Sequence, residues 1–282
     1  MRGILAGAGA REALERGGDG RVVASFRRAC YLTLGGRQVV LVAPDVEPGP
    51  VHLVLDAEPP RPDRGRAVRT TETDLVVDGV RIDVGGIATW SGALPEPEAV
   101  REHAITIASV AGSTTAGSAL LREPFEAPAA TARELLGRGR LQDAARALAG
   151  LGPGLTPSGD DALAGIAFAL RAALGPGIEA STLRAADALP AGSLGRAFVA
   201  FAARGQALAP VHDLVGRAAA GDRAGAATAA RVVASIGETS GRDLLLGITW
   251  ALSGDAVYEV AASEGLAVEA PAVREGRATT SR

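Results

Sequence analysis

Two segments in the second half of the chain are nearly the same thirteen residues. They read Ser158-Gly-Asp-Asp-Ala-Leu-Ala-Gly-Ile-Ala-Phe-Ala-Leu170 and Ser240-Gly-Arg-Asp-Leu-Leu-Leu-Gly-Ile-Thr-Trp-Ala-Leu252, with eight identical positions at a constant offset of 82. Each begins with a serine suited to an N-cap and an aspartate three residues later. The rest is apolar on nearly every face, so each segment predicts a central, buried helix, and the pair predicts a duplicated unit.

Both predicted helices carry a glycine at the equivalent position, Gly165 and Gly247. A glycine inside a helix costs about 1 kcal/mol relative to alanine. Because the glycine recurs at the matching site, we expect close helix contact there, with the two helices approaching each other.

The chain changes character near residue 95. Before it, Gly35-Gly36 joins strand-like runs at 22–34 and 38–43, and Asp78-Gly79 joins a second pair, which predicts two hairpins. After it, segments rich in Ala and Leu predict helices separated by Gly and Pro. We therefore predict an α+β fold with three parts: a small β-rich N-terminal domain at 1–94, a larger α-helical domain with the internal repeat at 95–262, and a mobile tail at 263–282.

The composition excludes several kinds of active site. The chain has no Lys and no Asn, one Cys and three His. Schiff-base lysine chemistry, an ordinary P-loop, a Cys/His metal cage and a Cys-His-Asn triad are therefore excluded. Catalysis must depend on Asp, Glu, Arg, Ser, Thr, a few His and the backbone.

The charge and cysteine content set the expected surroundings. A net charge of −3 argues against a protein that binds nucleic acid through phosphate contacts. Basic clusters are too sparse for membrane targeting, and the apolar run at 162–170 is short for a membrane span. The single Cys30 fits a reducing compartment, so we expect a cytoplasmic protein with no nucleic-acid or membrane partner.

The first repeat is preceded by a glycine-rich loop, Gly152-Pro-Gly-Leu-Thr-Pro157, which is longer than the equivalent loop before Ser240. Such a loop at a helix N-terminus leaves backbone N–H groups for an anion. Plain turn formation and helix capping remain the alternative. The candidate anion- or substrate-binding residues are Gly152, Gly154, Thr156, Ser158, Gly159, Ser240, Gly241, Arg242 and Asp243.

The adjacent acids Asp160 and Asp161 are the candidate catalytic residues. One acid suffices at a helix start, so the second is available for substrate, proton transfer or metal. Asp160 is the better candidate for the free acid, whereas Asp161 and Asp243 are typical of caps. No metal centre is predicted and no cofactor is firmly implied, although Asp160 is the candidate ligand for a divalent metal. The guanidinium of Arg242 can bind carboxylate or phosphate through two parallel hydrogen bonds.

The run Leu151-Gly-Pro-Gly-Leu-Thr-Pro-Ser-Gly-Asp-Asp161, with Leu163 and Gly165 after it, resembles the signature of the AllH-like family. The run Gly237-Glu-Thr-Ser-Gly-Arg-Asp-Leu244, with Gly247, resembles the second block of that family, in the expected order. Characterised members look like subunits of oxamate carbamoyltransferase. The resemblance covers about the last half of the chain.

This resemblance implies a multi-subunit enzyme of ureide or purine-nitrogen catabolism. The enzyme would transfer a carbamoyl group between phosphate and oxamate or a similar amide acid. The resemblance also implies an FdrA-like partner subunit and a larger companion subunit, with a small anionic substrate. Ser113-Thr-Thr-Ala116 is only a poor echo of the phosphate loop of aspartate and ornithine carbamoyltransferases.

A second hypothesis is a non-catalytic assembly or small-anion-binding subunit, in which both motifs are helix caps. If instead both motifs build one site, the helices that start at Ser158 and Ser240 should begin close to each other.

Overall fold

The computed structural model describes residues 1–268, so residues 269–282 of the predicted tail lie outside the described residues. A β-sheet formed by the first part of the chain is followed by a helical region, and the predicted α+β class is confirmed.

Within residues 1–268, nine strands form one sheet in the order β8-β7-β6-β2-β3-β4-β5-β1-β9. Neighbours are antiparallel except β4–β5 and β1–β9. The strands are β1 (Gly3–Gly7), β2 (Asp19–Ser25), β3 (Ala29–Leu34), β4 (Arg37–Val42), β5 (His52–Leu55), β6 (Ala67–Thr70), β7 (Asp74–Val77), β8 (Val80–Asp83) and β9 (Ala88–Trp90).

Both predicted hairpins are confirmed. Gly35 and Gly36 have φ of 54° and 77°, and Asp78 and Gly79 have φ of 49° and 83°, as two-residue hairpin turns require. The expected single strand at 22–34 is wrong, because the chain turns back between β2 and β3, which pair with each other.

The helices of the described residues lie after the sheet, except α1. They are α1 (Ala8–Arg16), α2 (Pro97–Glu102), α3 (Ala104–Gly112), α4 (Glu126–Gly137), α5 (Leu141–Leu148), α6 (Ser158–Leu174), α7 (Glu179–Ala186), α8 (Leu194–Ala203), α9 (Ala209–Ala219), α10 (Arg223–Ala234), α11 (Ser240–Leu252) and α12 (Ala256–Ser263). α6 begins at Ser158 and α11 at Ser240, so each of the two repeat segments forms a helix, as predicted.

The two faces of the sheet are covered by different helices, because neighbouring strand residues point to opposite faces. On one face, Cys30 and Leu32 share a buried cluster with Ala10 of α1. On the other face, Tyr31 packs on a cluster that contains Leu194 of α8. α8 also packs against α6, so it connects the sheet to the central helix of the repeat.

The two repeat helices cross at their glycines, as predicted. A Cβ on Gly165 would overlap the carbonyl oxygen of Leu244, and a Cβ on Gly247 would overlap that of Ala162. In the repeat, Gly247 is the equivalent of Gly165 and Leu244 is the equivalent of Ala162. The two contacts are therefore the same contact made in both directions, and α6 and α11 are related by a pseudo-twofold axis. Only glycine permits this backbone approach.

α6 is buried along most of its length. From Ser158 to Ala186 the helical stretch is long and apolar enough to cross a membrane, but 78% of its most apolar window is buried inside the protein. This burial identifies α6 as the core helix around which the helical region packs.

His52 predicts a pH dependence of stability. Its Nδ1 donates to the Glu47 carbonyl at 3.0 Å, and burial lowers the pKa of His52 to about 4. In the unfolded chain the pKa of the His52 imidazole is about 6.5, so below that pH the unfolded state binds more protons than the folded state does. The free energy of unfolding should therefore fall by about 2 kcal/mol between pH 7.5 and pH 5 from this group.

Urea unfolding of the wild type and of His52→Gln at both pH values measures that contribution. The variant should lose about 2 kcal/mol of the pH dependence, whatever its stability at pH 7.5. An identical pH dependence in the two proteins would contradict the assignment.

Candidate functional site

The structure brings the starts of α6 and α11 together. Thr156 Oγ1 lies 3.4 Å from Ser240 Oγ, and Ser158 Oγ lies 3.5 Å from Thr239 Oγ1. The proximity expected of a joint site is therefore present. We call this group the helix-start cluster, and it consists of Thr156, Ser158, Asp161, Thr239, Ser240 and Asp243.

The predicted serine caps are wrong. The N-cap of α6 is Pro157 and that of α11 is Thr239, and neither side chain makes a capping hydrogen bond. Ser158 and Ser240 are the first helical residues, because each helix starts one residue earlier than the capping pattern indicates. Their hydroxyl groups are thus directed across the junction between the two helices.

Gly159 and Gly241 serve the packing of each repeat. A Cβ on Gly159 would overlap the carbonyl oxygen of Leu148 at the end of α5, and a Cβ on Gly241 would overlap that of Val233 in α10. Each repeat is therefore a helix, a tight loop and a second helix in close backbone contact. Neither glycine needs a ligand to account for it.

The loop before α6 is shaped by Gly152 and Gly154, which have φ of 97° and 113°. A Cβ on Gly152 would lie 2.9 Å from Cβ of Ser158. These two predicted binding residues therefore curl the loop over the helix start and place Thr156 beside α11.

Three backbone N–H groups in the first turn of α6 are already engaged in hydrogen bonds. Gly159 N donates to the Leu151 carbonyl at 2.7 Å, and Asp160 N and Asp161 N donate to the Pro157 carbonyl at 2.9 and 3.2 Å. An anion at the helix-start cluster must therefore be bound mainly by hydrogen bonds from hydroxyl groups and arginine side chains.

Asp161 is the carboxyl group inside the cluster. Its side chain is 6% exposed, and Oδ2 accepts a hydrogen bond from Thr156 Oγ1 at 3.0 Å. Burial raises the pKa of Asp161 well above its ordinary value, hydrogen bonds from Ser240 and Thr156 oppose the shift, and the charges of Asp243 and Asp160 add to it. Asp161 is thus suited to hold a proton or a cation.

Asp243, the repeat equivalent of Asp161, is fully buried. Its Oδ1 accepts hydrogen bonds from Ser118 Oγ and from Ala119 N, the latter at 3.1 Å. Its Oδ2 is also buried and has no hydrogen-bond partner among the described residues. Asp243 therefore ties the loop after α3 to α11 and keeps one oxygen unsatisfied.

Asp160, the predicted free acid, is 2% exposed. Its Oδ1 accepts a hydrogen bond from Gly150 N at 2.8 Å, and its carboxyl fills the space left by the missing side chain of Gly195 in α8. Burial raises the pKa of Asp160, and the Gly150 hydrogen bond opposes the shift. The Asp160 side chain therefore packs between α6, α8 and the α5–α6 loop.

Arg242 lies beside a second arginine that the sequence did not single out. A Cβ on Gly117 would be 3.5 Å from Arg242 Nε and 3.6 Å from Arg122 Nη2. Arg242 Nη1 donates to the Glu238 carbonyl at 2.9 Å, which orients the guanidinium. Two like charges at one glycine form a natural anion-binding position.

The N-terminal sheet contributes Tyr31 to the surroundings of Asp161. Burial raises the pKa of the Tyr31 hydroxyl, and the charge of Asp161 raises it further. The Phe26 ring packs edge-on against Tyr31, with centroids 5.8 Å apart. Side chains alternate between the two faces of the sheet along β3, so the sequence can predict that Tyr31 faces the helices. Nothing in the sequence around Tyr31 predicts that it lies near Asp161.

The buried His212 is structural. Its Nδ1 donates to the Ala93 carbonyl at 3.0 Å, and its Nε2 accepts from Ala207 N at 3.2 Å, so both ring nitrogens are occupied and the ring is neutral. His103 Nδ1 is likewise bonded to the Ala99 carbonyl at 3.0 Å. In the described residues, no group of three or more His, Cys, Asp or Glu side chains is arranged to hold a metal ion.

Residues 148–252 match the family described as oxamate carbamoyltransferase subunit AllH. The matched range begins at the last residue of α5 and ends at the last residue of α11, so it contains both helix starts and none of the sheet. No curated protein and no solved structure matches the chain.

Proposed function

We propose that this AllH-like chain acts as a subunit of an oxamate carbamoyltransferase and binds the anionic substrate beside the helix-start cluster. The observation that carries the proposal is the coincidence of two ranges. The family match covers 148–252, and the fold brings the two motifs inside that range to one place.

The charges and donors of the site fit such a substrate. Phosphate and oxamate are both anions, and Arg242 with Arg122 offers two guanidinium groups at Gly117. The hydroxyl groups of Thr156 and Ser240 lie close to each other at the start of α11. Polar donors held in place by the fold can stabilise the negative charge that develops when a carbamoyl carbonyl is attacked.

The remaining parts of the proposal come from the family resemblance. The transfer would run between phosphate and oxamate or a similar amide acid, in ureide or purine-nitrogen catabolism. The partners would be an FdrA-like subunit and a larger companion subunit in the cytoplasm. The buried thiol of Cys30 accords with that compartment.

Reconstitution of the complex with and without this chain tests the proposal. Carbamoyl phosphate turnover with oxamate should require the chain. Thr156→Val should lower kcat/KM about 10-fold, because it removes one hydroxyl and keeps the shape of the side chain. Thr228→Val on α10 is the matched control, since its hydroxyl bonds only within its own helix.

Two outcomes separate the proposal from the rival. Turnover that is unchanged without this chain would overturn the catalytic part. If the chain is required but Thr156→Val has no effect, and isolated chain shows no calorimetric binding of phosphate or oxamate, an assembly role is favoured instead.

A further inference from the structure

The fully buried Asp243 has an oxygen that the described residues leave unsatisfied. Its Oδ1 is occupied by Ser118 and Ala119, whereas its Oδ2 has no partner. Leaving a buried carboxylate oxygen without a partner costs more free energy than leaving a neutral polar group unpaired, so native proteins seldom retain one. A ligand of the opposite polarity is the expected occupant.

The second carboxyl of the junction, Asp161, is the repeat equivalent of Asp243 and is 6% exposed. No salt bridge within residues 1–268 involves either acid. The nearest arginine in the motif, Arg242, is directed to the Glu238 carbonyl and Gly117. Two buried acids therefore lie in the first turns of α6 and α11 without a cationic side chain to pair with them.

Hydroxyl oxygen atoms, which are hard ligands, also lie at the junction of α6 and α11. Thr156 Oγ1 is bonded to Asp161 Oδ2 at 3.0 Å and lies 3.4 Å from Ser240 Oγ. Carboxylate and hydroxyl oxygens, with water, are the ligands that Mg²⁺ and Mn²⁺ take, whereas His and Cys are not required. Mg²⁺ typically uses one or two carboxylates and shares its remaining positions with water and substrate oxygens.

We propose that a divalent cation, Mg²⁺ or Mn²⁺, binds at the junction of α6 and α11, held by the carboxylates of Asp161 and Asp243 with hydroxyl oxygens of Thr156 and Ser240. The pseudo-twofold relation of α6 and α11 explains why one acid comes from each repeat. Asp160, which sequence reasoning favours as the metal ligand, is instead occupied by Gly150 N and packed on Gly195.

The cation site does not depend on the proposed reaction, because binding is measured on the full chain without substrate. Titration with Mn²⁺, followed by electron paramagnetic resonance, should give one bound ion per chain, displaced by Mg²⁺. Saturating Mn²⁺ should also raise Tm, since the ion binds the native state. An absence of binding at millimolar Mn²⁺, with the chain shown to be folded, would overturn the proposal and favour a buried water at Asp243.

Variants locate the ion. Asp161→Asn and Asp243→Asn should each weaken Mn²⁺ binding at least 10-fold, whereas Asp160→Asn and the exposed Asp213→Asn should not. If Asp243→Asn fails to fold, Thr156→Val and Ser240→Ala should still weaken binding several-fold. Binding lost in Asp160→Asn but retained in Asp161→Asn would place the ion elsewhere and overturn the assignment.

Discussion

Gly165→Val is expected to lower the free energy of unfolding by about 3 kcal/mol or more. The new Cβ would overlap the Leu244 carbonyl oxygen and lie 3.1 Å from the Ile248 backbone nitrogen. Overpacking of side chains costs about 1–3 kcal/mol. Here the obstacle is backbone, which cannot rotate away, so α6 and α11 must separate along the contact that organises the helical region.

Gly216→Ala in α9 is the matched control. Gly216 is also helical, but a Cβ there meets nothing within 4 Å. Its replacement should therefore gain up to about 1 kcal/mol from helix propensity and reduced chain entropy. Urea unfolding of the two variants gives the comparison, and Gly247→Val should match Gly165→Val because the two contacts are symmetric. A neutral Gly165→Val would show that the helices do not meet as described.

The core of the fold is predictable from the sequence because it is repeated. Ser158 and Ser240 start the two central helices, and Gly165 and Gly247 mark their crossing, as the thirteen-residue match indicates. Apolar periodicity and mid-helix glycine are local signals with a direct structural cause. Elements whose signal is interrupted are less well predicted. The Ala- and Leu-rich segment at 129–149 has the composition of one helix, but the chain forms α4 and α5 there, divided around Gly139, which has φ of 71°.

The candidate site was predictable only in part, because its members come from distant segments. Asp161 and Thr156 belong to the motif, and their contact with Ser240 follows from the repeat. Ser118 and Arg122 reach the site from the loop after α3, where composition gives no indication of their role. The different surroundings of the adjacent acids Asp160 and Asp161 depend on α8, which only tertiary packing brings there.

The arginine pair predicts the second large effect. Arg242→Gln and Arg122→Gln should each raise KM for the anionic substrate about 10-fold, and the double variant about 100-fold, with smaller changes in kcat. A charge-assisted hydrogen bond contributes about 1.5–3 kcal/mol, which corresponds to at least 10-fold in affinity. Arg242→Lys should recover only part of the loss, because lysine keeps the charge but not the two-pronged geometry.

Arg231→Gln is the control for net charge. Arg231 is exposed on α10 and donates to Thr228, so its loss makes the same charge change away from Gly117. Initial rates of the reconstituted complex at several substrate concentrations separate KM from kcat. If the two site variants behave like Arg231→Gln, the anion does not bind at Gly117. An effect on kcat alone would instead indicate that the guanidinium groups act on charge that forms only during the transfer, because uniform binding of the anion appears in KM.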